Sequence, residues 1–196
     1  MWVIKEKRLY NPDAHGAVPL FVTARTPKGE IIRVTGELPA IVLMDPKYPH
    51  NLGQTIRACS AFGVKQLWWT GDRVLKELEG LDRIPREERM RGYEDVKILH
   101  NDRPFDAYAG RPVTPVAVEY RPGNSEELPH FIHPENALYV FGPEDGGLDQ
   151  VTLKQCHRFL FIPTKHCLNL SMAVGLVLYD RLAKAERLAH STPVGE

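Results

Sequence analysis

The run Phe159-Leu-Phe-Ile162, stopped by Pro163 and followed after a polar loop by the helix-length run from Leu168 to Tyr179, most narrows what this chain can become. Its first part is a short continuous apolar strand of the kind covered on both faces. Its last part is apolar on nearly every side, and a helix of that kind is buried in a core or against a partner. A loop held between a buried strand and a buried helix is rigid. Its backbone amides and carbonyls then stand ready to read a ligand.

The same order of strand, loop and helix recurs upstream. Ala40 to Met44, Val64 to Trp69, Tyr93 to Leu99, Val113 to Val118 and Ala137 to Phe141 are further short strands. Between the first two, Leu52, Ile56 and Cys59 recur at helical spacing behind Asn51, a good N-cap residue, until Gly63 ends the helix. That strand–helix–strand unit implies a parallel sheet with helices on both faces, an α/β chain. Val74 to Leu81 and the stretch from Asp149 or Gln150 to Cys156 read as short helices, and Arg121 to Pro129 as a loop. Arg83 to Arg91 is rich in arginine but diluted by Asp82, Glu87 and Glu88, and reads as a solvated face. Ahead of all this, Pro19 to Arg25 and Glu30 to Thr35 are β-rich runs joined by Thr26-Pro-Lys-Gly29, which predicts a hairpin. Residues 1–38 are too few to support a core alone and read as a β-rich N-terminal extension.

At 196 residues, with 43% hydrophobic and 26% charged residues, the chain has the size and composition of one water-soluble domain. No apolar run reaches the ~18 residues that span a bilayer. Met-Trp-Val-Ile-Lys-Glu-Lys-Arg8 lacks the apolar core of a signal peptide, so a cytoplasmic protein without a membrane partner is expected. Three cysteines without C-x-x-C spacing fit a reducing compartment. Formal charge is zero overall, but residues 1–36 carry Lys5, Lys7, Arg8, Arg25, Lys28 and Arg33 against Glu6, Asp13 and Glu30, a local excess of +3. Steering of a polyanion is therefore expected near the N-terminal segment.

Three loops hold polar residues that a purely structural loop would not require: Asn51 to Arg57, Gly142 to Gly147 and Pro163 to Ser171. All three leave the carboxyl ends of strands, where open α/β sheets bind ligands. Gly142-Pro-Glu-Asp-Gly-Gly147 matches neither G-x-G-x-x-G nor a P-loop, so no nucleotide fingerprint is present.

Pro49-His-Asn-Leu-Gly-Gln-Thr-Ile-Arg57 with Ala61-Phe-Gly-Val64, Val140-Phe-Gly-Pro-Glu-Asp-Gly-Gly-Leu148, and Ile162-Pro-Thr-Lys-His-Cys-Leu-Asn-Leu-Ser-Met-Ala-Val174 resemble, in order, the three motifs of the SpoU (TrmH-like) RNA ribose methyltransferases of the SPOUT superfamily. The resemblance covers about residues 40–182. It implies a SPOUT domain over 39–188 with a C-terminal trefoil knot, followed by a tail over 189–196. It further implies bound S-adenosyl-L-methionine (AdoMet), a homodimer, and methyl transfer to a ribose 2′-OH of tRNA or rRNA. The compact length is closer to the minimal tRNA enzymes than to the rRNA and antibiotic-resistance enzymes, and tRNA is the favoured partner.

Carried over by motif, the catalytic residues are Arg57, Asn51, Glu144 and Asn169. Arg57 matches the family's catalytic arginine; a guanidinium holds its proton so firmly that it is better suited to binding phosphate and orienting the 2′-OH than to accepting a proton. A structural salt bridge is its other reading. Asn51 either caps its helix or orders Arg57 and the substrate ribose. Glu144 is a solvated turn carboxylate, or it holds Arg57 and offsets the sulfonium charge. Asn169 fixes its loop and the reacting groups by hydrogen bonds. The cofactor pocket falls to Val118, Gly142, Gly147, Ile162, Cys167 and Leu168. Gly142 and Gly147 allow close backbone approach, while Ile162 and Leu168 flank the adenine. Cys167 stands where relatives usually have Ser, and a thiol is a weaker donor than a hydroxyl. The pairs Cys156-His157 and His166-Cys167 lack the spacing of a zinc site, and no metal is expected. A SPOUT-fold module that binds RNA without chemistry is the competing reading.

Overall fold

The computed structural model describes residues 21–79 and 95–191, with side chains as far as Arg187. Among the described residues, nine strands form one sheet: β1 (Val22–Arg25), β2 (Ile31–Val34), β3 (Ala40–Leu43), β4 (Gln66–Trp69), β5 (Lys97–His100), β6 (Thr114–Val118), β7 (Glu126–Glu127), β8 (Ala137–Phe141) and β9 (Arg158–Phe161). Four α-helices accompany them: α1 (Pro49–Ala61), α2 (Arg73–Glu79), α3 (Gln150–Gln155) and α4 (Leu170–Ser191). The sheet order is β2-β1-β5-β4-β3-β8-β6-β9-β7. From β5 through β7 every pairing is parallel, and only the β1–β2 and β1–β5 pairings are antiparallel.

Continuous apolar strands arise because both sheet faces are covered. Ile41, Leu43, Leu67, Trp69, Tyr139 and Phe141 face the core shared with α1 and α4. Their neighbours Val42, Trp68, Leu138 and Val140 face the other core, with α3 and a 3-10 turn at Pro104–Tyr108. The period of two is thus hidden in the hydropathy but intact in the packing. On the second face, Trp68 Nε1 donates to Tyr108 Oη at 3.0 Å, and that hydroxyl lies 3.0 Å from Gln66 Oε1. Gln66 in turn donates to the Thr35 carbonyl at 2.7 Å.

The predicted hairpin is present, closed by Thr26 N–H to the Glu30 carbonyl at 2.9 Å, with Gly29 at φ +85°. It does not stand apart: Ala24 and Val34 lie in the same core cluster as Trp68 and Tyr108, and Arg25 pairs with His100 of β5. The loop read over Arg121 to Pro129 contains the two-residue strand β7, too short and too acidic to show any periodicity. α4 runs to Ser191, into the stretch read as a tail. The 83–91 stretch lies outside the described residues, as do residues 1–20 and 192–196. Among the described residues no helix is long and apolar enough to cross a membrane.

Candidate active site

Since β3, β8 and β9 run parallel, the loops that follow them leave at one end of the sheet. The loop after β3 enters α1, the loop after β8 carries Gly142 to Gly147, and the loop after β9 enters α4. α1 and α4 pack together through Leu52, Ile56, Val174 and Leu178 in the first core, which brings their N-termini side by side.

Across this junction three side chains join the first turn of α1 to the loops after β8 and β9. Asn51 Nδ2 donates to Glu144 Oε1, and Asn169 Nδ2 donates to Asn51 Oδ1 at 2.8 Å. The second oxygen of Glu144 accepts from the Lys47 backbone N–H at 2.8 Å. Asn169 Oδ1 accepts from the N–H groups of Ser171 and Met172 at 3.0 and 3.3 Å, and its carbonyl accepts from Ala173 at 2.9 Å. Asn169 is therefore the N-cap of α4. Ser171 Oγ lies 2.7 Å from Asn169 Oδ1 and 2.7 Å from the Gln54 side-chain amide, which ties α4 to α1 a second time.

Asn51 does not cap α1. The helix begins two residues earlier at Pro49 with Tyr48 at the cap position, because proline is well placed in a first helical turn. Asn51, only 1% exposed, spends both ends of its amide on Glu144 and Asn169 instead. Nor does the structure bring Arg57 to Glu144 or Asn51. Six positions on from Asn51 it is turned about 240° around the helix, onto the exposed stripe of His50, Gln54 and Ala61. Among the described residues Arg57 makes no ion pair.

At the cofactor positions, Val118 and Ile162 are half-buried against the first core and Leu168 is half-buried. They leave open the apolar surface that an adenine requires. Cys167 is exposed, and the backbone N–H groups of Lys165 to Leu168 donate to no other backbone group among the described residues. An exposed loop with free main-chain donors is a fitting cradle for AdoMet. The room at the two glycines is taken by the chain itself. A Cβ on Gly142 would stand 2.6 Å from the Gly147 carbonyl carbon, and one on Gly147, at φ +71°, 3.0 Å from Glu119 Oε2. Glu119, which the sequence did not single out, also accepts from Leu148 N–H at 3.1 Å and so binds the loop after β6 to the loop after β8.

A family model described as the SpoU rRNA Methylase family matches residues 39–179. The chain belongs to this family. A relative from Methanocaldococcus jannaschii, tRNA (cytidine-2′-O-)-methyltransferase TrmJ, is 28% identical over 166 residues, covering 76% of this chain and 69% of the relative. The tRNA (cytidine(34)-2′-O)-methyltransferase of Methylovorus glucosotrophus is 30% identical over 152 residues, covering 71% of this chain and 91% of the relative. Among solved structures, the SpoU methyltransferase AviRb from Streptomyces viridochromogenes in complex with AdoMet superposes with a TM-score of 0.63 at 20% identity. That match covers 78% of this chain and 60% of AviRb, so the SpoU fold is shared over less than two thirds of that protein.

Proposed function

We propose that this SpoU-family chain transfers the methyl group of AdoMet to a ribose 2′-hydroxyl of RNA, and of tRNA before rRNA. The observation that carries the reading is the hydrogen-bonded chain Glu144–Asn51–Asn169, which holds three motif loops in one arrangement. A module that only docked on RNA would need no such polar linkage centred on a buried asparagine. Coverage of 91% of a tRNA enzyme supports tRNA.

AdoMet, when bound, would supply an electrophilic methyl group and leave as the neutral thioether S-adenosylhomocysteine, with the 2′-hydroxyl proton passing to solvent; binding and orientation fall to the protein. Val118, Ile162 and Leu168 would flank the adenine, the backbone from Ile162 to Leu168 with Cys167 would supply polar contacts, and Gly142 and Gly147 would shape the floor. The Glu144 carboxylate, held by Asn51 and the Lys47 N–H, would offset the positive charge of the sulfonium. Arg57 is exposed and charged, and it binds the phosphate beside the target ribose and orients its 2′-oxygen. Incubation with AdoMet and unmodified tRNA, followed by nucleoside analysis, tests the reading: a 2′-O-methylnucleoside supports it, and transfer to a base overturns it.

The family's homodimer is proposed too. α4 buries Leu170, Val174, Val177 and Leu178 but exposes Met172, Leu176, Tyr179 and Leu182 at 56, 38, 60 and 42%. That stripe, with Tyr179 edge-on to Phe62 at the end of α1, is an apolar surface awaiting a second copy. Leu176→Glu is expected to convert a dimer to a monomer by light scattering and to reduce transfer; a wild-type monomer at micromolar concentration would contradict this. The sheet order, with β8 between β3 and β6 and β9 beyond β6, supports a trefoil knot over the C-terminal half. A crystal structure with an unthreaded chain path would remove it. A cytoplasmic site, where tRNA is found, fits the free cysteines Cys59, Cys156 and Cys167; cell fractionation tests it.

The basic extension is proposed to widen the RNA-binding surface. Its hairpin shares the core, so deletion would damage the fold. Reversing the exposed charges at Lys28 and Arg33 to Glu is the cleaner test. The double variant is expected to bind tRNA several-fold more weakly and to lower the salt slope of log K by about 2, at unchanged AdoMet affinity. Unchanged tRNA affinity would remove the role.

A further inference from the structure

A fourth loop reaches the site from β4. Arg73, the first residue of α2, places Nε 2.9 Å from Asp45 Oδ2 and 3.1 Å from the Asp45 carbonyl, which its Nη2 also meets. Its Nη1 donates to both carboxylate oxygens of Asp145 at 2.9 and 3.0 Å. Asp145 directly follows Glu144, and Asp45 precedes Lys47, whose backbone N–H holds Glu144. One guanidinium therefore bridges the loop after β3 to the loop after β8, beside the link that Asn51 makes to Glu144.

The surroundings make this a built arrangement. Asp45 adopts φ +44°, an uncommon conformation for a residue with a side chain. It is held there by its N–H to Thr70 Oγ1 at 2.8 Å. Gly71 leaves room for it, since a Cβ there would stand 2.0 Å from Asp45 Oδ1. Lys47 Nζ adds a second cation 3.5 Å from Asp145. Glu144 and Asp145 are adjacent like charges on a short turn, and Arg73 with Lys47 offsets them. Hydrogen bonding to Arg73 holds the Asp145 carboxyl below the usual carboxylate range, against a smaller opposing effect of burial. Its contact with the guanidinium is present above the ordinary carboxylate value and is lost only as pH falls through the lowered one.

We propose that Arg73 is a positioning residue for methyl transfer: by clamping Asp45 and Asp145 it fixes the Glu144 carboxylate against Asn51, without itself touching RNA or AdoMet. The inference rests on the activity proposed above. Asp145 is 46% exposed and Arg73 29%, and exposed ion pairs contribute little to global stability. The effect of losing the clamp should therefore fall on geometry. A catalytic group displaced by about 1 Å can lose on the order of 10²-fold in rate.

The test compares wild type, Arg73→Ala, Asp145→Asn and the double variant by kcat, KM for tRNA, AdoMet affinity by calorimetry and thermal midpoint. The expected result is a fall of ~10- to 100-fold in kcat for each single variant. KM, AdoMet affinity and midpoint should stay near wild type, and the double variant should be no worse than the poorer single one. A raised KM at unchanged kcat would assign Arg73 to RNA phosphate and overturn the proposal, as would multiplying losses in the double variant. If Arg73→Ala unfolds, Asp145→Asn, which keeps shape and removes charge, decides on the same kcat criterion. Wild-type protein that methylates no ribose would instead overturn the activity reading, a different outcome from active wild type with an unaffected Arg73→Ala variant.

Discussion

Asn51→Ala is expected to lower methyl transfer by on the order of 10²-fold while the protein still folds. The substitution leaves Glu144 Oε1 without its side-chain donor and Asn169 Nδ2 without its acceptor, at a position 1% exposed. Glu144 is half-buried and Asn169 exposed, so water can replace part of what is lost, and the cost should stay at or below the about 1–3 kcal/mol of fully buried partners; for a chain of this size each kcal/mol lowers the thermal midpoint by ~2–4 °C. The catalytic loss should greatly exceed that cost, because the linkage orients groups from all three motif loops. Asn51→Asp sharpens the test. An ionised aspartate cannot donate to Glu144 and adds a like charge beside it, so near-equal loss is expected from a side chain of almost identical shape. Activity retained in both variants, measured as initial rates at saturating tRNA, would show that the linkage has no part in transfer.

Gly142→Ala is the second large effect, and it acts first on the fold. The new Cβ would lie 2.6 Å from the Gly147 carbonyl carbon and 2.8 Å from the Leu148 nitrogen. Both obstacles are backbone, so no side chain can swing aside and the turn after β8 must open. Overpacking of this kind costs about 1–3 kcal/mol, or a fall of very roughly 2–12 °C in midpoint, with AdoMet affinity falling as the floor of the pocket is displaced. Gly146→Ala, on the same turn, is the control. Its Cβ would meet only Pro143 Cγ at 4.0 Å, and little change is expected. Equal midpoints for the two variants would contradict the packing described.

The strands and the meeting of three loops were legible because they depend on local signals. Continuous apolar runs such as Ala40 to Leu43 and Ala137 to Phe141 mark strands covered on both faces, and Gly63 at φ +71° marks the end of α1. Asn51 and Asn169 show where that legibility stops. Either asparagine can cap a helix, and sequence favoured Asn51; in the fold Asn169 is the cap, and the buried Asn51 bridges it to Glu144. The choice was made by the packing of α1 against α4, a contact between segments more than a hundred residues apart. Arg57 is similar: its exposure depends on which face α1 turns to α4. Glu119, Arg73 and Asp145 were invisible for another reason, since charged residues in polar loops are the commonest of surface features. Only the distances among them set them apart.

The most direct test of the central claim is to incubate the wild-type protein with methyl-labelled AdoMet and unmodified tRNA, digest the product and analyse the nucleosides by mass spectrometry. The account predicts the label on a 2′-O-methylribose, formed at an initial rate on the order of 10²-fold lower when Asn51→Ala replaces the wild type at equal concentration. Label on a base, or bound AdoMet with no label on tRNA or rRNA, would contradict it.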